Sequence, residues 1–183
     1  GRLLRTWKAG RAKLNGYLED YAFFIDGLLE LYQTTFEARW FAAALELAQA
    51  MVRRFAAPQG FYDTSDDHEQ LISRTRDLQD NAVPSGNAMA CWVLLQLADL
   101  APDARFGDLA EQSLALVGAW LERYPLGFAK WLAVADHALA RRQEIAIIGD
   151  PAAPDSLALL AAARQGYHPY RLIALGAPAD GDQ

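Results

Sequence analysis

Tyr17-Leu-Glu-Asp-Tyr-Ala-Phe-Phe-Ile-Asp-Gly-Leu-Leu-Glu-Leu-Tyr32 sets Leu18, Tyr21, Ala22, Ile25, Leu28, Leu29 and Tyr32 at steps of three and four. That spacing lays them along one stripe of an α-helix, and it predicts a helix from Tyr17 to about Thr34 that buries one broad face. Working outward, a break at Thr34 to Glu37 leads to a second run of the same period, Phe41, Ala42, Leu45, Ala48, Met51, Val52 and Phe55, closed by Pro58-Gln-Gly60. Two such runs with a short connection read as a helical hairpin. Phe61 to Thr64 is short and aromatic, a possible strand fragment, and Ser65 to Asp77 is polar enough to be loop.

A second hairpin is expected further on. Its first helix runs from about Ser85 to Leu100 and stops at Ala101-Pro102-Asp103; its second spans Arg105 to Arg123, with Leu109, Leu116, Trp120 and Leu121 on the buried side. After the turn Tyr124-Pro-Leu-Gly127, a fifth helix from Phe128 to Arg141 carries Trp131, Leu132, Ala135 and Leu139. The pattern then changes. Glu144-Ile-Ala-Ile-Ile148 is β-branched and apolar, Gly149-Asp-Pro151 turns the chain, Asp155 caps a helix to about Gln165, and Arg171-Leu-Ile-Ala-Leu175 is a second strand. This is a β-α-β unit with parallel strands, followed by a small, polar, frayed tail from Gly176. The fold class is therefore mainly α, with helical hairpins in 1–141 and a β-α-β element in 142–183.

The chain's 183 residues, 52% of them hydrophobic, suit one globular domain or a domain with a small appendage. Net charge is −6, although Arg2, Arg5, Lys8, Arg11 and Lys13 all precede the first acid, Glu19, so the remainder is more acidic than the total. That basic arm lacks the dense cationic face and interleaved aromatics of a nucleic-acid surface, and nucleic acid is not an expected partner. Neither is a membrane, since no run approaches the roughly 18 apolar residues that span a bilayer. Cys91 is the single cysteine, so no disulfide framework can form within the chain, consistent with a reducing, cytoplasmic setting. Between Met89 and Trp92 in an apolar helix it reads as a buried, inert thiol. The chain opens on Gly1, which raises the expectation of further sequence upstream.

Four phrases in order carry a resemblance: Tyr17-Leu-Glu-Asp-Tyr-Ala22 with Gly27-Leu-Leu-Glu-Leu-Tyr32, Gly60-Phe-Tyr-Asp-Thr64, Asp80-Asn-Ala-Val-Pro-Ser-Gly-Asn87, and Glu144-Ile-Ala-Ile-Ile-Gly149. They resemble the C-terminal part of the thioredoxin-domain-containing, spermatogenesis-associated-protein-like family. The resemblance implies an upstream thioredoxin-like domain followed by an (α/α) toroid similar to six-hairpin glycosidases and N-acylglucosamine 2-epimerases. It further implies that five long helices form only an arc of that toroid. An arc leaves apolar helix faces uncovered, so self-association, or a partner segment from elsewhere, is expected.

Pockets in helical toroids form where the starts of inner helices converge, because loops and partly positive helix ends gather there. If helices one, three and five are the inner ones, that face collects Glu19, Asp20, Tyr21, Asp80, Asn81, Ser85, Asn87, Lys130 and Trp131. Carboxylates with amides and aromatics suit a saccharide or polyol, with Asp20 and Asp80 as a possible acid and base and Ser85 and Asn87 holding hydroxyls. The plain alternative is that Glu19 and Asp20 complement a helix dipole, while Asp80 to Asn87, with Pro84 in the first turn, build a helix start. Of Trp7, Trp40, Trp92, Trp120 and Trp131, most fall on apolar helix faces and read as core, while Trp131 and Tyr62, each near a loop or helix start, are possible stacking platforms.

Other chemistries fit less well. His68 lies in an acidic loop without regular metal-ligand spacing, and no metal or other cofactor is expected. His137 could move ring protons if a second histidine faced it, and only His168 remains to do so. Ser85 lacks the Gly-x-Ser-x-Gly elbow, and Ile148-Gly149-Asp150 lacks the further glycines of a nucleotide loop. Two functional readings stand: a sugar-like small-molecule site, and a noncatalytic domain that supports a thioredoxin-like module.

Overall fold

The computed structural model describes residues 2–69, 72–101 and 103–177. The expected tail beyond 177, two loop positions (70 and 71) and the helix stop at 102 lie outside them. Among the described residues the order is β1 (Leu4–Lys8), β2 (Arg11–Asn15), α1 (Leu18–Thr35), α2 (Ala38–Phe55), α3 (Gly86–Leu100), α4 (Ala104–Ala115), α5 (Gly118–Arg123), a 3₁₀ turn (Pro125–Phe128), α6 (Ala129–Leu139), β3 (Gln143–Ile148), α7 (Pro154–Ala163) and β4 (Arg171–Gly176). No helix among them is long and apolar enough to cross a membrane.

α3 is the central rod. From Asn87 to Leu97 every residue except Trp92 is buried, as expected of a helix that is apolar nearly all round. α1, α4 and α6 pack on it from three sides. α1 meets it with Leu18, Tyr21, Ala22, Ile25, Leu28 and Leu29, the stripe that the sequence spacing defines. α2 packs on α1 and buries Ala44, Ala48 and Met51. β3 and β4 pair in parallel in full register from Gln143↔Arg171 to Ile148↔Gly176, with α7 as the crossover. Ile147, Leu160, Ile173 and Leu175 form a second, smaller core with Phe36 packed against it.

The structure adds one element that the sequence reading did not assign and corrects several expectations. The basic arm is an antiparallel hairpin, β1 on β2, turned by Ala9 and Gly10 at φ 49° and 75°, the two positive values that a two-residue type I′ loop requires. Phe61 to Thr64 forms no strand beyond an isolated bridge from Phe61 to Ala56. The single helix expected from Arg105 to Arg123 is two. Leu116 and Val117 donate to Ser113 O and Leu114 O, three residues back, so the turn tightens where Val117 and Gly118, both poor helix formers, meet. The tightening rotates the buried side to Phe106, Ala110, Ser113 and Val117, leaving Trp120 48% exposed. On α6 the buried face is Trp131, Val134 and His137, while Leu132 and Leu139 are exposed. Asp155 does not cap α7: Ala153 holds that position, and Asp155 accepts from Ser156 N inside the first turn at 2.8 Å.

Candidate functional site

Between Asp77 and Ser85 the chain crosses the starts of α1, α3 and α6, and hydrogen bonds fix it to each of the last two. Asp80 accepts from Ser85 N through Oδ1 and from Lys130 N through Oδ2, both at 2.8 Å. One carboxylate thus serves two helix starts, where free amides and the helix dipole favour a negative group. Ser85 is the N-cap of α3, its Oγ accepting from Ala88 N at 3.1 Å. Pro84 stands just before that cap, not in the first turn. Asn87 is fully buried, accepting from Phe61 N at 2.9 Å and donating to Asp77 O at 3.3 Å. Trp131, also fully buried, donates its indole N–H to Leu78 O at 2.8 Å.

A cleft of about 600 Å³ opens on the outer side of this segment, lined among others by Arg5, Tyr17, Glu19, Asp63, Asp77 and Asn81. Asp63 shapes it. Its carboxylate accepts from Asp77 N at 3.0 Å, and its backbone oxygen accepts from Leu18 N at 2.9 Å. The β1–β2 hairpin supplies the lid edge: Arg5 lies 4.5 Å over the Tyr17 ring and donates to Glu19 Oε1 at 3.0 Å. The helix starts approach closely because Gly86 has no side chain; a Cβ there would stand 3.1 Å from Glu19 N.

The site residues expected from the sequence divide accordingly. Glu19, Asn81 and Ser85 line the cleft. Asp20 and Asp80 do not: Asp20 accepts from Tyr17 N at 2.8 Å and lies instead in a shallow depression with Phe23, Phe24 and Val83. Neither the cleft nor this depression holds both acids. Tyr21 is buried with its hydroxyl accepting from Leu3 N at 3.0 Å. As platforms, Trp131 is sealed in the core, and one face of Tyr62 is covered by the Arg74 guanidinium 4.1 Å from its centroid. Lys130 Nζ sits 3.6 Å from the Trp92 ring, and burial lowers its pKa against the opposing pull of Asp26 and Asp80. Cys91 is the inert thiol expected, donating to Ala110 O, with burial pushing its pKa up to about 12. His68 packs against Tyr17; no group of three or more His, Cys, Asp or Glu among the described residues could hold a metal ion.

Sequence reading missed the other side of the segment. Asp77 and Gln79 also border a second, more apolar cleft of about 830 Å³, walled by Trp120, Tyr124, Leu126 and Phe128. Trp120 and Tyr124 stack at 6.0 Å between centroids. Their spacing of four on a helix was the available signal, hidden by the assumption that Trp120 faces the core.

The molecule is thus a helical-hairpin protein with a small parallel β-α-β element and a polar cleft at its converging helix starts. Across its whole length it is related to spermatogenesis-associated protein 20, which bears out the family resemblance carried by the four phrases. Identity is 32% over 193 aligned positions with the mouse protein and 32% with the rat protein, and 30% with the human protein. The chain spans 24% of the length of each of these relatives. No protein-family model matches it.

Proposed function

We propose that the cleft at the starts of α1 and α3 binds a sugar-like polyol. The observation that carries this reading is the convergence of Glu19, Asp63, Asp77, Asn81 and Ser85 on one opening beside the Tyr17 ring. Carboxylates accept from hydroxyls, and amides and hydroxyls both donate and accept, so the set matches a ring bearing several O–H groups. Its volume falls in the range of small-molecule sites. Across the Asp77–Gln79 segment, in the second cleft, the exposed Trp120–Tyr124 stack offers an apolar face for the C–H side of a ring. Binding, not a reaction, is what this geometry supports: Asp20 and Asp80, the pair considered as acid and base, act here as ties at helix starts. A glycan and polyol panel tests the proposal. Glu19→Gln and Asn81→Ala should each weaken any saccharide bound by roughly tenfold, the worth of a hydrogen bond to a charged or well-placed partner. Absence of binding across the panel would sink it.

A second reading is favoured by the exposed Phe23, Phe24 and Val83 around the Asp20 depression. There the chain serves as an interaction domain, covering this face with another copy of itself or supporting a thioredoxin-like module. Light scattering at micromolar concentration decides the first case, with Phe24→Glu expected to shift an oligomer to monomer.

A further inference from the structure

We propose that the gap between the helical body and the β-α-β element is a second ligand site, one that takes a small oxyanion such as the phosphate or carboxylate group of a metabolite. The cavity, about 510 Å³, is bounded by Glu30 and Gln33 of α1, Trp92 of α3 and His137 of α6 on one side, and by Arg164, His168 and Arg171 on the other. Two guanidinium groups and two imidazoles therefore face one carboxylate. Burial and the nearby Asp26 raise the pKa of that carboxylate, Glu30, so it opposes an incoming anion less than an ordinary surface acid.

The two arginines are held in place without being used up. Arg164 Nη2 donates to Gln33 O at 2.8 Å and to Thr34 O at 3.3 Å. Arg171 donates through Nε to Gln143 Oε1 at 3.1 Å and through Nη1 to Ala163 O and Gln165 O. Among the described residues Arg164 Nε and Nη1 and Arg171 Nη2 have no acceptor. Guanidinium donors fixed at one edge and open at the other are preorganised for an oxyanion.

His137 is the independent sign of a site. It forms part of the cavity wall yet is only 2% exposed, clasped between the rings of Trp92 at 5.1 Å and Tyr170 at 5.2 Å. Neither ring nitrogen makes a hydrogen bond among the described residues. Nε2 stands 3.4 Å from Asp99 Oδ2, which is itself without a hydrogen bond, while Arg142 pairs with the other oxygen of that carboxylate. A histidine kept only for packing would close that bond, because an unsatisfied buried polar group is destabilising. An imidazole with unmade hydrogen bonds in the wall of a cavity that carries two guanidinium groups is instead available to an arriving anion.

Calorimetric titration of the whole chain with inorganic phosphate and, separately, with malonate tests the proposal. One saturable site is expected, with the His168 and His137 imidazole signals moving together in NMR spectra. Saturation by phosphate alone identifies a phosphoryl-bearing ligand, and saturation by malonate alone a carboxylate. Arg164→Gln and His168→Gln, both at exposed positions, should each weaken binding by roughly tenfold. His137→Asn should weaken the calorimetric binding of the anion, with circular dichroism confirming that the variant is folded. No saturation up to about 20 mM of either anion, or binding unchanged in Arg164→Gln and His168→Gln, would overturn it.

Discussion

The helical body and the β-α-β element are built from equally apolar sequence and bury it very differently. α3 has neighbours on three sides, and Cys91, Val93, Leu94 and Leu97 are wholly enclosed. The two-stranded sheet has one helix of its own over one face, so its core amounts to Ile147, Leu160, Ile173 and Leu175, while Ile148 remains 68% exposed. An apolar residue contributes to stability only where an element stands opposite to it. Composition cannot supply that element; topology does.

The sharpest test of this contrast is a matched pair of truncations. Leu94→Ala should destabilise the whole chain by about 2–5 kcal/mol, the cost of a cavity in a close-packed core. Ile173→Ala, in the thin core, should lower the midpoint of a denaturant melt far less, and should show chiefly as faster amide exchange confined to β3, α7 and β4. Equal global losses would mean that the two cores melt as one unit. A smaller effect is expected from Asn87→Ala, which strands the amide of Phe61 without an acceptor inside the body, at about 1–3 kcal/mol; thermal melts would measure it.

The smallest effect belongs to the other appendage, the β1–β2 hairpin. Asp67 accepts from Arg2 at 2.8 Å and from Arg54 at 2.9 Å, and the hydrogen bonds from Arg2 and Ser65 with the nearby charges hold its carboxyl well below the usual range. A depressed folded value means that the contribution is fully present above the unfolded pKa of about 3.9 and is lost as pH falls through the folded one. Because the groups are substantially solvated, no more than about 1 kcal/mol is expected. Hairpin amides should exchange faster at pH 2 than at pH 6 after correction for intrinsic rates, and Asp67→Asn should remove the difference.

The helices were legible because a 3.6-residue period survives wherever one face is buried, as along Leu18 to Leu29. The β-α-β unit was legible from the change of period after Arg142. The hairpin was not, since both faces of Leu4–Lys8 and nearly all of Arg11–Asn15 meet solvent and leave no alternation to read; Gly10 between two short runs was the only cue. The cluster from Asp77 to Asn87 was correctly singled out, but position in sequence could not separate residues that line the cleft, such as Asn81 and Ser85, from those consumed as ties, such as Asp80 and Asn87. Trp131 misled for a similar reason, being near a helix start yet in register with Val134 on the buried side. The same register, one turn further, carried His137 into the core.

Gly86 gives the cleft a property that alanine scanning would misread. Such scans treat a methyl group as the neutral state and measure what is lost when larger side chains are cut back to it. At this position the methyl is itself the intrusion: it would meet Glu19 N at 3.1 Å and Glu19 Cα at 3.4 Å, backbone atoms that cannot swing aside. The width of the opening is thus encoded by an omitted atom, and residues on opposite walls are held to their spacing by a contact that neither of their side chains makes.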